Sequence, residues 1–94
     1  MSEAESGAHS VAAAHAALRE TFAGEVSARL PRLHALADGD AGVVEDARRD
    51  AHTLGSSAIL VGEPEIARLA HAVELELTDG PLPELLAALE GYTP

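Results

Sequence analysis

The sequence predicts an all-α fold, an antiparallel up-down four-helix bundle. Three observations predict it. Apolar residues recur at three- and four-residue spacing in four separate runs, the repeat of one helix face. No stretch alternates with period two, so strands are not indicated. The connections between the runs are short and rich in Gly, Asp and Pro, which turns each helix back on the one before it.

Residues 1–9 are polar, carry Gly7 and read as a frayed tail, leaving 10–94 as the bundle. Ser10 suits the N-cap of the first helix. From Val11 to Ala37 the apolar positions Val11, Ala14, Leu18, Phe22, Val26, Leu30 and Leu33 keep helical spacing. Gly24 and Pro31 interrupt the run. An interior proline removes one backbone bond and clashes with the carbonyl four residues back, at about 3 kcal/mol. The expectation is therefore two pieces or one bent helix, the first case giving the bundle an extra short N-terminal helix. Asp38-Gly39-Asp40-Ala41-Gly42 is a turn. The next helix runs from Val43 to Val61, about 30 Å at 1.5 Å per residue. Gly62 suits the left-handed position that closes it. Pro64 opens the third helix at a position where its missing N–H is harmless. Ile66, Leu69, Ala70, Val73 and Leu77 form its stripe, and Thr78-Asp79-Gly80-Pro81 ends it. A last short helix, Pro83 to Glu90, carries Leu85, Leu86 and Leu89, preceded by Leu82.

Composition narrows what such a bundle can do. Ninety-four residues suit one domain with a modest core. Apolar residues make up 47% of the chain, yet Phe22 and Tyr92 are the only aromatics, so the core must be aliphatic. The formal net charge is −10, which argues against a nucleic-acid backbone or an anionic membrane surface as partner. The six basic residues besides histidine are all arginine, so Schiff-base and P-loop lysine chemistry are excluded. Without cysteine there is no disulfide and no thiolate metal site. No apolar run approaches the ~20 residues of a membrane-spanning helix. The acidic N-terminus lacks the basic start of a signal peptide, and the cytoplasm is the expected compartment. A monomer is expected.

The second helix carries the chemistry. With His52 at 0° and about 100° per residue, Val43, Ala47, Leu54, Ala58 and Val61 fall at about 180–240° and Ala51 at about 260°. His52 lies opposite this apolar stripe and should face water. Arg48 and Ser56 lie about 40° from it, Arg49 and Gly55 about 60°, and Ile59 about 20°. The arrangement offers an imidazole, two guanidinium groups able to pair with an anion, small residues that leave the ring approachable, and one apolar contact. That suits a phosphoryl acceptor read by another protein. The plainer reading is a solvated surface histidine on an alanine-rich helix. Of the other histidines, His9 is in the tail and His15, His34 and His71 lie on three different helices. None forms a helical metal clip, and no metal or other cofactor is expected. Glu20, Glu25, Glu45, Glu74 and Glu76 read as solvated faces. No nucleophile elbow or acid–base pair points to an enzyme.

Ala51-His52-Thr53-Leu54, then Ser57-Ala58 and Gly62, then Leu69-Ala70 and Val73-Glu74, resemble the histidine-containing phosphotransfer family. Its pattern is His-x-Leu-Lys-Gly-Ser, a glycine ten residues after the histidine, and a Leu-Ala…Leu-Glu helix. The Ala37-Asp38-Gly39-Asp40 turn and a proline inside the preceding helix are also similar, so the resemblance spans about 18–78. It implies a phosphocarrier without catalytic machinery of its own. His52 would accept a phosphoryl group, through Nε2, from a receiver-domain aspartate or a histidine kinase of a two-component system, and pass it on. Arg48, Arg49, Gly55, Ser56 and Ile59 would meet the partner. Where the family has Lys then Gly, this chain has Gly55 then Ser56. Arg48 or Arg49 is expected to substitute partly for that lysine. The rival reading is a transfer-deficient module that keeps the fold and binds and regulates a receiver or kinase.

Overall fold

The computed structural model describes residues 3–94, with side chains described from residue 11 onward. Four α-helices follow in chain order: α1 Glu3–Ala37, α2 Val44–Leu60, α3 Pro64–Glu76 and α4 Leu82–Glu90. Single 3-10 turns, Ala41–Val43 and Leu77–Asp79, lead into α2 and out of α3. Among the described residues there is no strand. The helices pack as the up-down bundle the apolar spacing predicts.

Of the two expectations for this segment, two pieces or one bent helix, the two-piece one is corrected. α1 is assigned as one helix through both Gly24 and Pro31. Pro31 and Ser27, whose carbonyl loses its partner, are both exposed, so the lost bond falls on the side open to water. Phe22, Val26, Leu33 and Leu36 on the other side are buried and hold the helix across that point. α1 begins at Glu3, inside the stretch read as a tail, and the side chains of that stretch lie outside the described residues. Val11 and Leu18 are exposed, so α1 joins the core only from Phe22 onward.

Helix ends follow from local chemistry. At the α1–α2 turn the Asp40 carboxylate accepts the Gly42 N–H at 2.9 Å. α2 closes in a Schellman motif: Gly62 sits at φ +77°, Glu63 N–H donates to Ala58 O at 2.8 Å, and Gly62 N–H donates to Ile59 O at 3.2 Å. The left-handed backbone there explains the glycine, and it sends α3 straight back along α2. Leu77, at φ +52°, occupies the same sparsely populated side of backbone space with its side chain packed against the core.

The core is aliphatic, as composition requires. Ala47, Ala51, Leu54 and Ala58 of α2 meet Ile66, Leu69, Ala70 and Val73 of α3, with Leu82, Leu85 and Leu89 of α4 closing the far side. Phe22 and Tyr92 meet edge to face, ring centroids 4.9 Å apart. Burial pushes the Tyr92 phenol above its ordinary range. One charged side chain is buried in the α1–α2 seam. Asp50, 5% exposed, takes Arg32 Nε at 2.6 Å and lies 3.6 Å from Arg29 Nε. The Asp50 carboxylate in turn holds the Arg32 guanidinium above its already high range.

Candidate functional site

The rotation of α2 places the site. Ala47, Ala51, Leu54 and Ala58 are fully buried, so the opposite side of the same helix must face out. His52 is on that side, its side chain 65% exposed. The expected orientation is the observed one.

The ring is nevertheless held. His52 Nδ1 lies 2.9 Å from Glu74 Oε1 on α3. A carboxylate only accepts, so Nδ1 carries the proton and donates, and the neutral ring keeps its lone pair on Nε2. The Glu74 side chain is only 26% exposed, so its position is constrained by packing. Its backbone is fixed as well: Arg48 Nη1 donates to the Glu74 carbonyl at 3.0 Å. That carbonyl lies in the last turn of α3, where no intrahelical partner exists, and Arg48 supplies one. Arg48 therefore acts on His52 through Glu74.

Two clefts open on either side of the ring. One, of about 440 Å³, is lined by Arg48, Arg49, His52, Thr53 and Glu74. The other, of about 240 Å³, is lined by His52, Gly55, Ser56 and Ile59 of α2 and by Ala67, His71 and Glu74 of α3. The structure thus brings Arg48, Arg49, Ser56 and Ile59 around His52. Arg49 is 77% exposed and 3.4 Å from Asp46. Ile59 is 70% exposed. Gly55 differs from the outward position its angle suggested. It is buried against α3, and a Cβ there would lie 3.5 Å from the Ala70 Cβ. Two small residues let α2 and α3 approach closely, and that approach covers a position about 60° from an exposed one.

Two residues of the site were not singled out from sequence. From sequence Glu74 reads as one of several solvated glutamates and as part of the Val73-Glu74 resemblance, with no role in the site, and His71 as one of several histidines on different helices. His71 Nδ1 lies 3.9 Å from Glu74 Oε2, so one carboxylate faces both imidazoles. The signal was the hairpin itself: counting outward equally from Gly62 brings position 52 opposite position 72, between 71 and 74. His15 and His34 lie elsewhere, the first beside Arg19 and the second 2.6 Å from Glu90. Among the described residues no group of three or more His, Cys, Asp or Glu is arranged to hold a metal ion.

Residues 17–92 match the family model described as the Hpt domain. The chain belongs to the Hpt domain family. No curated protein and no solved structure matches it. Hpt domains are helical phosphocarriers that take part in histidine phosphotransfer within phosphorelays, interacting with receiver domains and kinases, and this Hpt domain has the helical bundle of its family. No helix among the described residues is long and apolar enough to cross a membrane.

Proposed function

We propose that His52 is the phosphoryl acceptor of this Hpt domain. It takes the group from a receiver-domain aspartate or from a histidine kinase, and passes it to a further partner in the cytoplasm. The observation that carries this reading is the tethered but open ring. Nδ1 is hydrogen-bonded to Glu74 while the rest of an imidazole 65% exposed faces two clefts. In the transfer, the Nε2 lone pair forms the N–P bond. The P–O bond of the acyl phosphate breaks, and its electron pair leaves on the donor's carboxylate. The ring gains positive charge, and Glu74 opposite Nδ1–H stabilises it. The metal and most of the electrostatic catalysis come from the partner. Arg48, Arg49, Ser56 and Ile59 border the approach to Nε2, and Gly55 lines the second cleft from the α2–α3 seam.

The test is incubation with a phosphorylated receiver domain and magnesium, comparing the chain with His52→Gln. Acid-labile label on the unmutated chain alone is the expected result. Label of equal amount on His52→Gln refutes the assignment. Binding of the receiver without any uptake would favour the transfer-deficient module, the reading motivated by Gly55 in place of the family's lysine.

A further inference from the structure

α1 is 35 residues long, but the core takes it up only from Phe22. The part before Phe22 projects past the other three helices, in a molecule 57 Å long and 20 Å across. A helix draws most of its stability from packing one face, and the face of this overhang is uncovered. Its spacing shows what kind of partner fits. Val11, Ala14, Leu18, Thr21, Glu25 and Ala28 alternate three and four residues apart, the seam by which one helix packs along a single other. All but the partly buried Glu25 are exposed. Leu18, Thr21 and Glu25 also line a groove of about 80 Å³, whose other wall carries Ser57 and the exposed Leu60 of α2.

Charge and hydrogen bonding both point to a second copy of the chain, laid antiparallel. The chain has 16 acidic residues, yet positions 6–19 hold none, so two overhangs can approach without repulsion. A parallel pair would set two chains of net charge −10 side by side and Glu25 against Glu25. An antiparallel pair sends the two bundles to opposite ends. Glu25 Oε2 is buried without a hydrogen-bond partner. His15 Nδ1 lies 2.9 Å from Arg19 Nη1, which only donates, so Nδ1 accepts and the ring proton sits on Nε2. Among the described residues that Nε2–H donates to nothing. Ten residues, about 15 Å of helix, keep this donor and this acceptor apart within one chain. We propose that two copies pair through α1, antiparallel, with the two-fold axis between positions 19 and 20. Position 11 then stands opposite 28, 14 opposite 25 and 18 opposite 21. Leu18 of each copy enters the groove of the other, beside Leu60. His15 of one copy comes within reach of the Glu25 carboxylate of the other, turned outward. Ala14 and Ala17 let the two helices approach closely. His52 faces α3 and not the groove, so both copies leave it open. The pair departs from the monomer expected from the sequence.

The test is sedimentation velocity of the full chain from low micromolar to submillimolar concentration, where a monomer–dimer equilibrium is expected. Leu18→Asp and Leu60→Asp should each raise the dimer dissociation constant about tenfold or more, as for an apolar group at the centre of an interface. Leu60 is exposed and lies outside the overhang, so its substitution leaves α1 and the core intact. His15→Ala should weaken pairing about fivefold, the size of one hydrogen bond to a carboxylate, and should have no effect in a Glu25→Ala background. The chain carries no cysteine, so introduced thiols report the register. Oxidation of an equimolar mixture of Val11→Cys and Ala28→Cys chains should give the mixed disulfide well above the share expected from random pairing. A monomer at every concentration overturns the proposal. So does a dimer indifferent to both aspartate substitutions, which places the contact elsewhere. A dimer that yields mainly the homodisulfide of the Val11→Cys chain, or one in which His15→Ala acts equally with and without Glu25, overturns the antiparallel register.

Discussion

Two polar clusters flank α2, built from residues only two apart in sequence, and they are opposites. Asp50 faces α1, is 5% exposed and is satisfied by Arg32 and Arg29. His52 faces α3, has a side chain 65% exposed, and is tethered at one nitrogen. Both rest on the same helix geometry, because two residues turn the chain by about 200°. The closed cluster joins helices. Both Asp50 oxygens accept from Arg32 and one lies beside Arg29, so the carboxylate has little left to offer a partner, although the buried Arg29 Nε itself makes no hydrogen bond. The open cluster keeps one nitrogen free and places a carboxylate behind the other. Polarity alone therefore does not mark a functional group on this helix; an unfilled valence towards solvent does.

The sharpest way to test the contrast is to delete the central group of each cluster. His52→Gln should abolish phosphoryl uptake, while unfolding free energy changes by no more than about 0.5 kcal/mol, as expected for an exposed position. Asp50→Ala should do the reverse. It leaves two arginines facing each other without their counter-charge. Breaking a fully buried pair costs about 3–5 kcal/mol; here the arginines keep part of their water, so a loss of about 2–4 kcal/mol in urea unfolding is expected. Uptake per folded molecule should be unchanged. A loss of stability in His52→Gln as large as in Asp50→Ala would erase the distinction.

Glu74 belongs to the open cluster, and its removal should register mainly as rate. Glu74→Ala frees Nδ1 and removes the charge that balances the phosphorylated ring. About tenfold slower uptake is expected, equivalent to about 1.4 kcal/mol of transition-state stabilisation. Stability should fall by less than about 1 kcal/mol, since the pair is partly solvated. Rapid-quench labelling against urea midpoints separates the two. Unaltered labelling would mean that the tether to Glu74 does not matter to the nucleophile.

What the sequence disclosed follows the same division. The buried stripe of α2, Ala47, Ala51, Leu54, Ala58 and Val61, was legible because 100° per residue is a property of one helix. The exposure of His52 followed from that stripe. Asp50 was not legible as a core residue: a carboxylate on the inner side makes sense only with Arg29 and Arg32, and they lie on another helix. Glu74 and His71 were missed for the same reason. Each looks like an ordinary surface residue until α3 folds back along α2. Of the two pieces or one bent helix expected around Pro31, the two-piece alternative did not occur because the apolar residues on the opposite side of α1 keep the helix together across it. Local periodicity fixed the faces, and contacts between helices decided which polar groups on those faces were paired.

Gly55 lies between the two regimes, which makes it the finest probe of the comparison. It lines the open cleft, yet its missing Cβ points at α3. A glycine inside a helix costs about 0.8–1 kcal/mol relative to alanine. A Cβ at this position would meet the Ala70 Cβ at 3.5 Å and the Ala67 carbonyl at 3.8 Å, ordinary contact distances. Gly55→Ala should therefore stabilise the bundle by about 0.5–1 kcal/mol. Labelling of His52 should change by less than about twofold, because the new methyl fills the α2–α3 seam and not the space beside Nε2. Higher stability with unchanged labelling would show that the glycine serves the approach of two helices. Stabilisation accompanied by a severalfold fall in labelling would instead place the α2–α3 contact inside the working site, and the boundary between the closed and open sides of α2 would have to be redrawn one turn closer to the core.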